Sequence, residues 1–155
     1  MKGNEKVIAS LNSLLGDELA ATNQYALHAE ICENWRYGKL HAMIKKRAID
    51  EMKHAGKIIA RILFLEGRPI VSQLGAISIG SDVQDIHKKD WSAERKAIED
   101  YNAAIKLALE SGDNGTRELL ESILADEEVH IDWIESQSDQ ITQMGIETYL
   151  GRQTG

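Results

Sequence analysis

The stretch DEMKH at residues 50–54 recurs in pattern as DEEVH at residues 126–130, so that Asp-Glu-x-x-His stands twice in the chain, 76 positions apart. On a helix, a Glu and a His three positions apart project from one face. The same offset relates Glu18 to Glu94 and Tyr25 to Tyr101. Two Glu-x-x-His helices and one Glu from each of two further helices form a two-metal carboxylate site inside a four-helix bundle. The sequence therefore predicts an all-α bundle built around such a site.

The repetition makes the motif specific. A single Glu-x-x-His is weak evidence, because charged helices carry this spacing by chance. Two copies, each preceded by a Glu and a Tyr at matching distances, favour metal binding over a bundle held only by salt bridges. The candidate metal ligands, which are also the candidate catalytic residues, are Glu18, Glu51, His54, Glu94, Glu127 and His130.

Length, charge and cysteine content limit the class of protein. A chain of 155 residues fits one domain, taken as residues 1–155. The net charge of −7 argues against nucleic acid and anionic membranes as partners. Cys32 is the only cysteine, so an internal disulfide and a Cys-x-x-Cys site are excluded. No apolar stretch has the character of a secretory signal or the length of a membrane span, which predicts a cytoplasmic protein.

Apolar residues at helical spacing predict four long helices, at about residues 5–35, 39–66, 83–110 and 116–144, and a short fifth helix at 146–151. In each long helix, a Glu occupies a position of the apolar stripe where leucine would be expected. A carboxylate that faces a core is costly unless a cation or hydrogen bonds compensate it. The four stripe glutamates therefore point to a shared buried site.

Residues 68–82 contain Pro69, Gly75 and Gly80 and break the helical pattern. At about 3.3 Å per residue, an extended segment of this length runs back along most of a bundle. This predicts one long crossover between the second and third helices, which makes those helices parallel. An ordinary surface loop is the alternative. The crossover is favoured because five apolar side chains are expected to pack on the bundle: Ile70, Val71, Leu74, Ile77 and Ile79.

The charge of the proposed site selects its metal. Four buried carboxylates and two imidazoles require either bound protons or cations, and two divalent ions bring four positive charges against four negative ones. A mixed set of carboxylates and histidines suits iron or manganese better than structural zinc. Two such ions can each give one electron to O2.

Residues beside the candidate ligands have two possible roles each. Asp50 and Asp126 are candidate acceptors for the free imidazole N–H groups, or else exposed helix charges. Tyr25 and Tyr101 lie two turns beyond the first Glu of each half, on the same face. Each either lines the site, as a hydrogen-bond donor or electron source, or fills the core, and Tyr25 is counted among the candidate catalytic residues.

Several longer segments match one known family: MKG at 1–3, NQY at 23–25, IDEMKHA at 49–55, RILFLEG at 61–67, DEE at 126–128, HIDW at 130–133, MG at 144–145 and YL at 149–150. On these segments the chain resembles the bacterioferritins over nearly its whole length. The resemblance implies a ferritin-like four-helix bundle with a ferroxidase centre, which oxidises Fe(II) to Fe(III) with O2 or hydrogen peroxide. It also implies self-association into a hollow shell of twenty-four subunits that stores the mineral.

In that family pattern, Glu18 and His54 hold one iron, Glu94 and His130 hold the other, and Glu51 and Glu127 bridge the two. The resemblance also implies haem b between two subunits, with one methionine from each ligating its iron, and Met52 occupies that position. By helix geometry alone, Met52 points about 100° away from Glu51, which fits an interface but equally fits ordinary packing.

Two positions depart from the family pattern. Lys46 stands where some bacterioferritins place a histidine on the cavity side, which puts an inner-surface iron site in doubt. Ala26 stands where an aromatic residue often lines the haem region. Neither change affects the six candidate iron ligands.

Two other functions are open to a chain of this kind. One is a di-iron oxidase or peroxidase of the rubrerythrin type without mineral storage, although a single cysteine leaves no four-cysteine electron-transfer domain. The other is a mini-ferritin that coats DNA, which suits the acidic charge poorly. For iron release, a ferredoxin is a candidate electron donor.

Overall fold

The computed structural model describes all 155 residues, and all of its regular elements are helices. In chain order they are α1 (Glu5–Asn34), α2 (Gly38–Phe64), α3 (Val83–Glu110), α4 (Asn114–Met144) and α5 (Ile146–Gly151). The predicted all-α class, the four long helices and the short fifth helix are confirmed, with helix ends within two residues of the predicted ones. No helix combines the length and the apolar character needed to cross a lipid bilayer.

Short polar side chains begin three of the long helices. Asn4, Asp82 and Asp113 accept hydrogen bonds from backbone N–H groups two or three residues later, at 2.8, 2.8 and 3.0 Å. Such a cap satisfies N–H groups that have no partner within the helix. The cap at Asp113 explains why α4 begins at Asn114, before the predicted Thr116.

Contacts between α1 and α3 fix the helix directions. Tyr25, late in α1, hydrogen-bonds Glu94, whereas Tyr101, further along α3, hydrogen-bonds Glu18, which lies earlier in α1. The two helices are therefore antiparallel. Because α1 and α2 form a hairpin across residues 35–37, α2 and α3 run parallel, as the predicted crossover requires.

The crossover runs along α1 and is attached to it by its own backbone. Its N–H groups donate to acceptors spaced along one side of α1. These bonds join Ile70 to Asn12 Oδ1 at 2.9 Å, Gly75 to the Gly16 carbonyl at 3.0 Å, Ser78 to Gln24 Oε1 at 3.0 Å and Gly80 to His28 Nε2 at 3.0 Å.

One of these contacts requires glycine. A Cβ added to Gly16 would lie 2.6 Å from the carbonyl oxygen of Gln73, closer than nonbonded atoms approach. Two backbones meet there without a side chain between them.

The apolar side chains of the crossover differ from the expectation that they pack on the bundle. Their exposed fractions are 38% for Ile70, 58% for Val71, 47% for Leu74, 42% for Ile77 and 39% for Ile79. The crossover is bonded to α1 through its N–H groups, and these side chains stay exposed at the surface.

The core consists of two apolar clusters with a polar layer between them. One cluster includes Leu11, Leu15, Ile58, Ile62, Leu120 and Ile123. The other includes Ala29, Ile44, Ala48, Ile86 and Ile141. Along every long helix, the stripe glutamate lies between residues of the two clusters. Full burial of one such side chain contributes about 1.5–3 kcal/mol, so the clusters hold the helices at a fixed depth around the polar layer.

Candidate metal centre

Each of the four long helices contributes one glutamate to the polar layer, and two of them also contribute a histidine one turn later. All six side chains belong to residues that are at most 5% exposed: Glu18, Glu51, His54, Glu94, Glu127 and His130. The helical stripes place them there, because each Glu follows a buried residue of its own helix at a spacing of three or four.

These six residues form two groups of four that share two members. In the first group, one ligand atom from each of Glu18, Glu51, His54 and Glu127 lies within 4.8 Å of all the others. The second group is formed in the same way by Glu51, Glu94, Glu127 and His130. The arrangement therefore offers two neighbouring metal positions with Glu51 and Glu127 common to both.

Unsatisfied polar atoms line these positions. Nine buried side-chain nitrogen and oxygen atoms in the protein have no hydrogen bond of acceptable geometry, although His54 Nδ1 lies 3.0 Å from Glu127 Oε1 and His130 Nδ1 lies 3.0 Å from Glu51 Oε1. Six of the nine belong, one each, to the six residues of the centre: Glu18 Oε2, Glu51 Oε1, His54 Nδ1, Glu94 Oε2, Glu127 Oε1 and His130 Nδ1. A buried polar group without a partner is costly. All six atoms are carboxylate oxygens or imidazole nitrogens, which commonly bind metal ions, and all lie in one layer. This arrangement fits a pair of cations.

The second nitrogen of each histidine is held by an aspartate. His54 Nε2 lies 2.8 Å from Asp126 Oδ2, and His130 Nε2 lies 3.0 Å from Asp50 Oδ2. Since a carboxylate only accepts, each Nε2 carries the proton and donates it, which leaves Nδ1 to face the centre. The acceptor role predicted for both aspartates is confirmed. Each aspartate serves the histidine of the other motif, across the α2–α4 contact.

Both tyrosines of the repeat line the centre. Tyr25 Oη donates to Glu94 Oε1 at 2.8 Å, and Tyr101 Oη donates to Glu18 Oε1. Each hydroxyl holds one carboxylate oxygen, while the other oxygen of the same glutamate is among the unpartnered atoms. The tyrosines therefore fix Glu18 and Glu94 and leave one oxygen of each free to bind a cation.

The electrostatics of the layer also favour cations. Burial and then the charge of Glu18 raise the pKa of Glu51 well above its usual range, and burial together with Glu94 does the same for Glu127. Burial alone would lower the pKa of His54, but the neighbouring carboxylates outweigh it and raise that pKa far above its usual value. Without metal, the cluster must therefore hold extra protons in place of positive ions.

A second buried polar cluster adjoins the centre, and sequence reasoning missed it. Asp90 accepts from Arg47 Nη2 at 2.8 Å, from His28 Nδ1 at 2.7 Å and from Gln24 Nε2 at 3.0 Å. The Arg47 guanidinium packs over the Tyr25 ring, 4.5 Å from its centroid. These contacts join α1, α2 and α3 to the end of the crossover.

A sequence signal for this cluster existed. Asp90 lies one helical turn before Glu94, and Arg47 lies one turn before Glu51, so both continue the stripes that carry the ligands. Extending those stripes by one turn would have placed both charges inside the bundle, where an Asp and an Arg pair.

A cavity of about 70 Å³ reaches the centre between α1 and α3. Small side chains, including Ala21, Ala93 and Ala97, line it together with Tyr25 and Tyr101. Exposed residues also border it, and there the Lys96 ammonium pairs with Asp17 at 3.1 Å. The cavity is large enough for a water-sized molecule to approach the carboxylates.

The remaining predicted positions lie away from the centre. Met52 is 56% exposed on the outer side of α2. Ile49 and Leu63 share that side and are also exposed, and Gly56 between them leaves open space. Lys46 pairs with Asp50 at 3.3 Å. Ala26 is exposed on α1.

Comparison with known proteins identifies relatives of the chain. The family model described as a ferritin-like domain matches residues 8–144. A bacterioferritin from Brucella melitensis biotype 1 is 38% identical over 149 residues, which cover 96% of this chain and 92% of that protein. A bacterioferritin from Rhodobacter capsulatus is 39% identical over 145 residues, covering 94% of this chain and 90% of that protein. A bacterioferritin from Mycolicibacterium paratuberculosis is 37% identical over 149 residues, covering 96% and 94%.

Proposed function

The chain belongs to the bacterioferritin family of ferritin-like proteins, and from that membership we propose that it is an iron-storage ferroxidase. In this proposal, Fe(II) is the substrate, O2 or hydrogen peroxide is the oxidant, and Fe(III) mineral is stored inside a shell of twenty-four subunits. Residues 1–155 act as one ferritin-like domain, since all four long helices supply side chains to the centre.

The observation that carries the proposal is the convergence of unpartnered buried atoms, one from each of six residues. One iron would be held by Glu18 and His54, the other by Glu94 and His130, with Glu51 and Glu127 shared between them. The two groups of four support this assignment, because they divide the six residues in that way. Four carboxylates balance the charge of two divalent ions, which favours a pair of metals over one.

When bound, two iron ions supply one electron each to the oxidant. The residues of the chain prepare the layer for those ions. Asp126 and Asp50 keep the proton on Nε2 of His54 and His130, so that Nδ1 presents a lone pair. The hydroxyl of Tyr25 holds Glu94 in place through a hydrogen bond to Oε1. The apolar clusters on both sides exclude water, which strengthens every charge interaction in the layer.

Haem b and the shell belong to the same proposal. The exposed Met52 thioether is a soft ligand that suits haem iron. The exposed Ile49 and Leu63, with open space at Gly56, suit a flat apolar group shared with the same surface of a second subunit. We place the axial ligand at Met52 on that basis.

Oxidation kinetics test the centre. Glu51→Ala and Glu127→Ala are each expected to abolish rapid Fe(II) oxidation in stopped-flow absorbance measurements, while the shell still assembles. Glu128→Ala, which changes an exposed residue next to Glu127, serves as the matched control and retains the wild-type rate. Rapid oxidation in both Glu51→Ala and Glu127→Ala would refute the assigned centre.

Shell mass and iron content test the storage role. Size-exclusion chromatography with light scattering, followed by iron analysis, is expected to find a large shell that loads many iron ions per subunit. A small assembly that oxidises Fe(II) but retains about two ions per subunit would instead support a di-iron oxidase or peroxidase of the rubrerythrin type.

A further inference from the structure

The two halves of the chain are equivalent at the metal centre. At the offset of 76 residues, Glu18 corresponds to Glu94 and Glu51 to Glu127, and the same holds for the histidines, aspartates and tyrosines that surround them. Each half also makes the same contacts, with one tyrosine on a glutamate and one aspartate on a histidine. By these groups alone, the two metal positions would bind an ion equally well.

The two halves differ at three buried polar residues next to the centre. Arg47, Asp90 and His28 are each at most 3% exposed. Their counterparts at the same offset are apolar and also buried: Ile123, Leu14 and Ala104. Only one of the two metal positions therefore has a charged residue packed behind it.

The position with the charge is the one bounded by Glu94 and His130. Arg47 Nη1 lies 3.9 Å from Glu94 Oε1. On its other side, Arg47 Nη2 pairs with Asp90 Oδ2 at 2.8 Å. Asp90 partly offsets the positive charge, but it lies beyond the guanidinium, so the positive end of the pair faces Glu94.

The cation is held firmly in that place. The pair with Asp90 fixes one side of the guanidinium. The guanidinium packs against the Tyr25 ring, 4.5 Å from its centroid, and against the Trp133 ring, 5.4 Å from its centroid. A guanidinium stays charged at all ordinary pH values, and in this dry layer its charge is weakly screened.

We propose that Arg47 makes the two metal positions unequal, so that a divalent cation binds first between Glu18 and His54 and more weakly between Glu94 and His130. This inference rests on the two-metal centre of the proposed function. Arg47 repels a cation at the second position and draws on the same Glu94 carboxylate that would ligate it. A neighbouring charge within about 4–6 Å commonly shifts a protonation equilibrium by about one to three powers of ten. We therefore expect the two dissociation constants to differ by at least about tenfold.

Cobalt(II) titration of the metal-free, assembled protein measures the difference. Wild-type protein is expected to bind two Co(II) ions per subunit in two steps. Calorimetry and visible absorption measure these steps. Arg47→Lys keeps the charge and is expected to keep both steps. The double variant Arg47→Met, Asp90→Asn removes the ion pair without leaving a lone buried charge, and it is expected to bind both ions with nearly equal affinity. Lys45→Met, which removes an exposed charge nearby, is the control and keeps both steps.

Crystallography identifies the first position. Crystals soaked with one equivalent of Co(II) per subunit are expected to show anomalous density mainly between Glu18 and His54. Equal density at both positions, or more beside Glu94, would overturn the inference, and so would two unchanged steps in the double variant. If that variant does not assemble, the anomalous densities of wild-type protein decide alone. Absence of Co(II) from both positions would instead remove the proposed centre itself.

Discussion

Replacement of Glu127 by glutamine tests two opposite effects of this carboxylate on stability. In the metal-free protein it lowers the free energy of unfolding, whereas with metal bound it raises it. The change keeps the side-chain shape and removes one of four carboxylates from the layer. Glu127 is 1% exposed, and its Oε1 lies 3.0 Å from His54 Nδ1, a contact that lowers the pKa of Glu127 less than burial and Glu94 raise it. Burial and then Glu94 raise the pKa of Glu127 well above its usual range, so its ionised form costs folding free energy near neutral pH.

The expected gain follows from that cost. Each unit by which burial raises the pKa of a carboxyl group costs about 1.4 kcal/mol of folding free energy at pH values above that pKa, and a glutamine in its place carries no such cost. For a chain of this size, about 2–4 °C of melting temperature corresponds to each kcal/mol. Metal-free Glu127→Gln is therefore expected to melt several degrees above metal-free wild type at pH 7. The difference should vanish at low pH, where Glu127 is protonated in both the folded and the unfolded chain.

Metal reverses the order of stability. Co(II) at a hundred times its dissociation constant stabilises wild-type protein by about 2.7 kcal/mol, and the variant, which lacks a shared ligand, is expected to gain much less. Thermal scans with and without Co(II) measure both effects. Glu128→Gln, at an exposed neighbour, should change neither. The reasoning fails if metal-free Glu127→Gln melts at or below wild type, or if Co(II) stabilises it as much as wild type.

Three further outcomes are expected. Met52→Leu should remove the haem absorbance while Fe(II) oxidation continues, and haem retained in this variant would move the axial ligand elsewhere. Asp126→Asn should weaken Co(II) binding by about 10–100-fold in calorimetry, because the acceptor that fixes His54 is lost, whereas unchanged affinity would deny it that role. Burial, with Arg47 nearby, lowers the pKa of His87 to about 4. In the unfolded chain the imidazole of His87 is protonated near pH 6.5. Above that pH His87 therefore does not lower the free energy of unfolding, whereas acidification from pH 6.5 to pH 4 lowers it by about 3 kcal/mol. His87→Gln should lose less over this range in urea unfolding, and an equal loss would contradict the assignment.

The helices and the stripe glutamates were predictable because both follow from spacing. A buried face repeats every three to four residues, and a Glu in that face is conspicuous among leucines and isoleucines. The repeat at an offset of 76 then brought both histidines and both tyrosines into the same prediction. Residue types and spacing carried this information without any knowledge of packing.

The buried ion pair and the attachment of the crossover could not be predicted in this way. Arg47 and Asp90 look like solvent-exposed helix charges until the packing of three helices brings them to 2.8 Å. The crossover was expected to bind through apolar side chains, but it binds through backbone N–H groups to Asn12, Gln24 and His28. Hydrophobic patterns do not record such bonds, because their acceptors are polar residues on a helix.

The exchange of aspartates between the two motifs has a consequence for assembly of the bundle. His54 depends on Asp126 and His130 depends on Asp50, so neither hairpin contains a complete half-site. Sliding α2 past α4 by one turn, about 5.4 Å, would detach both imidazoles together. Two hydrogen bonds between α2 and α4 therefore form only when the hairpins are in the correct register. A subunit with a shifted register would lose both bonds, and with them the orientation of both histidine ligands.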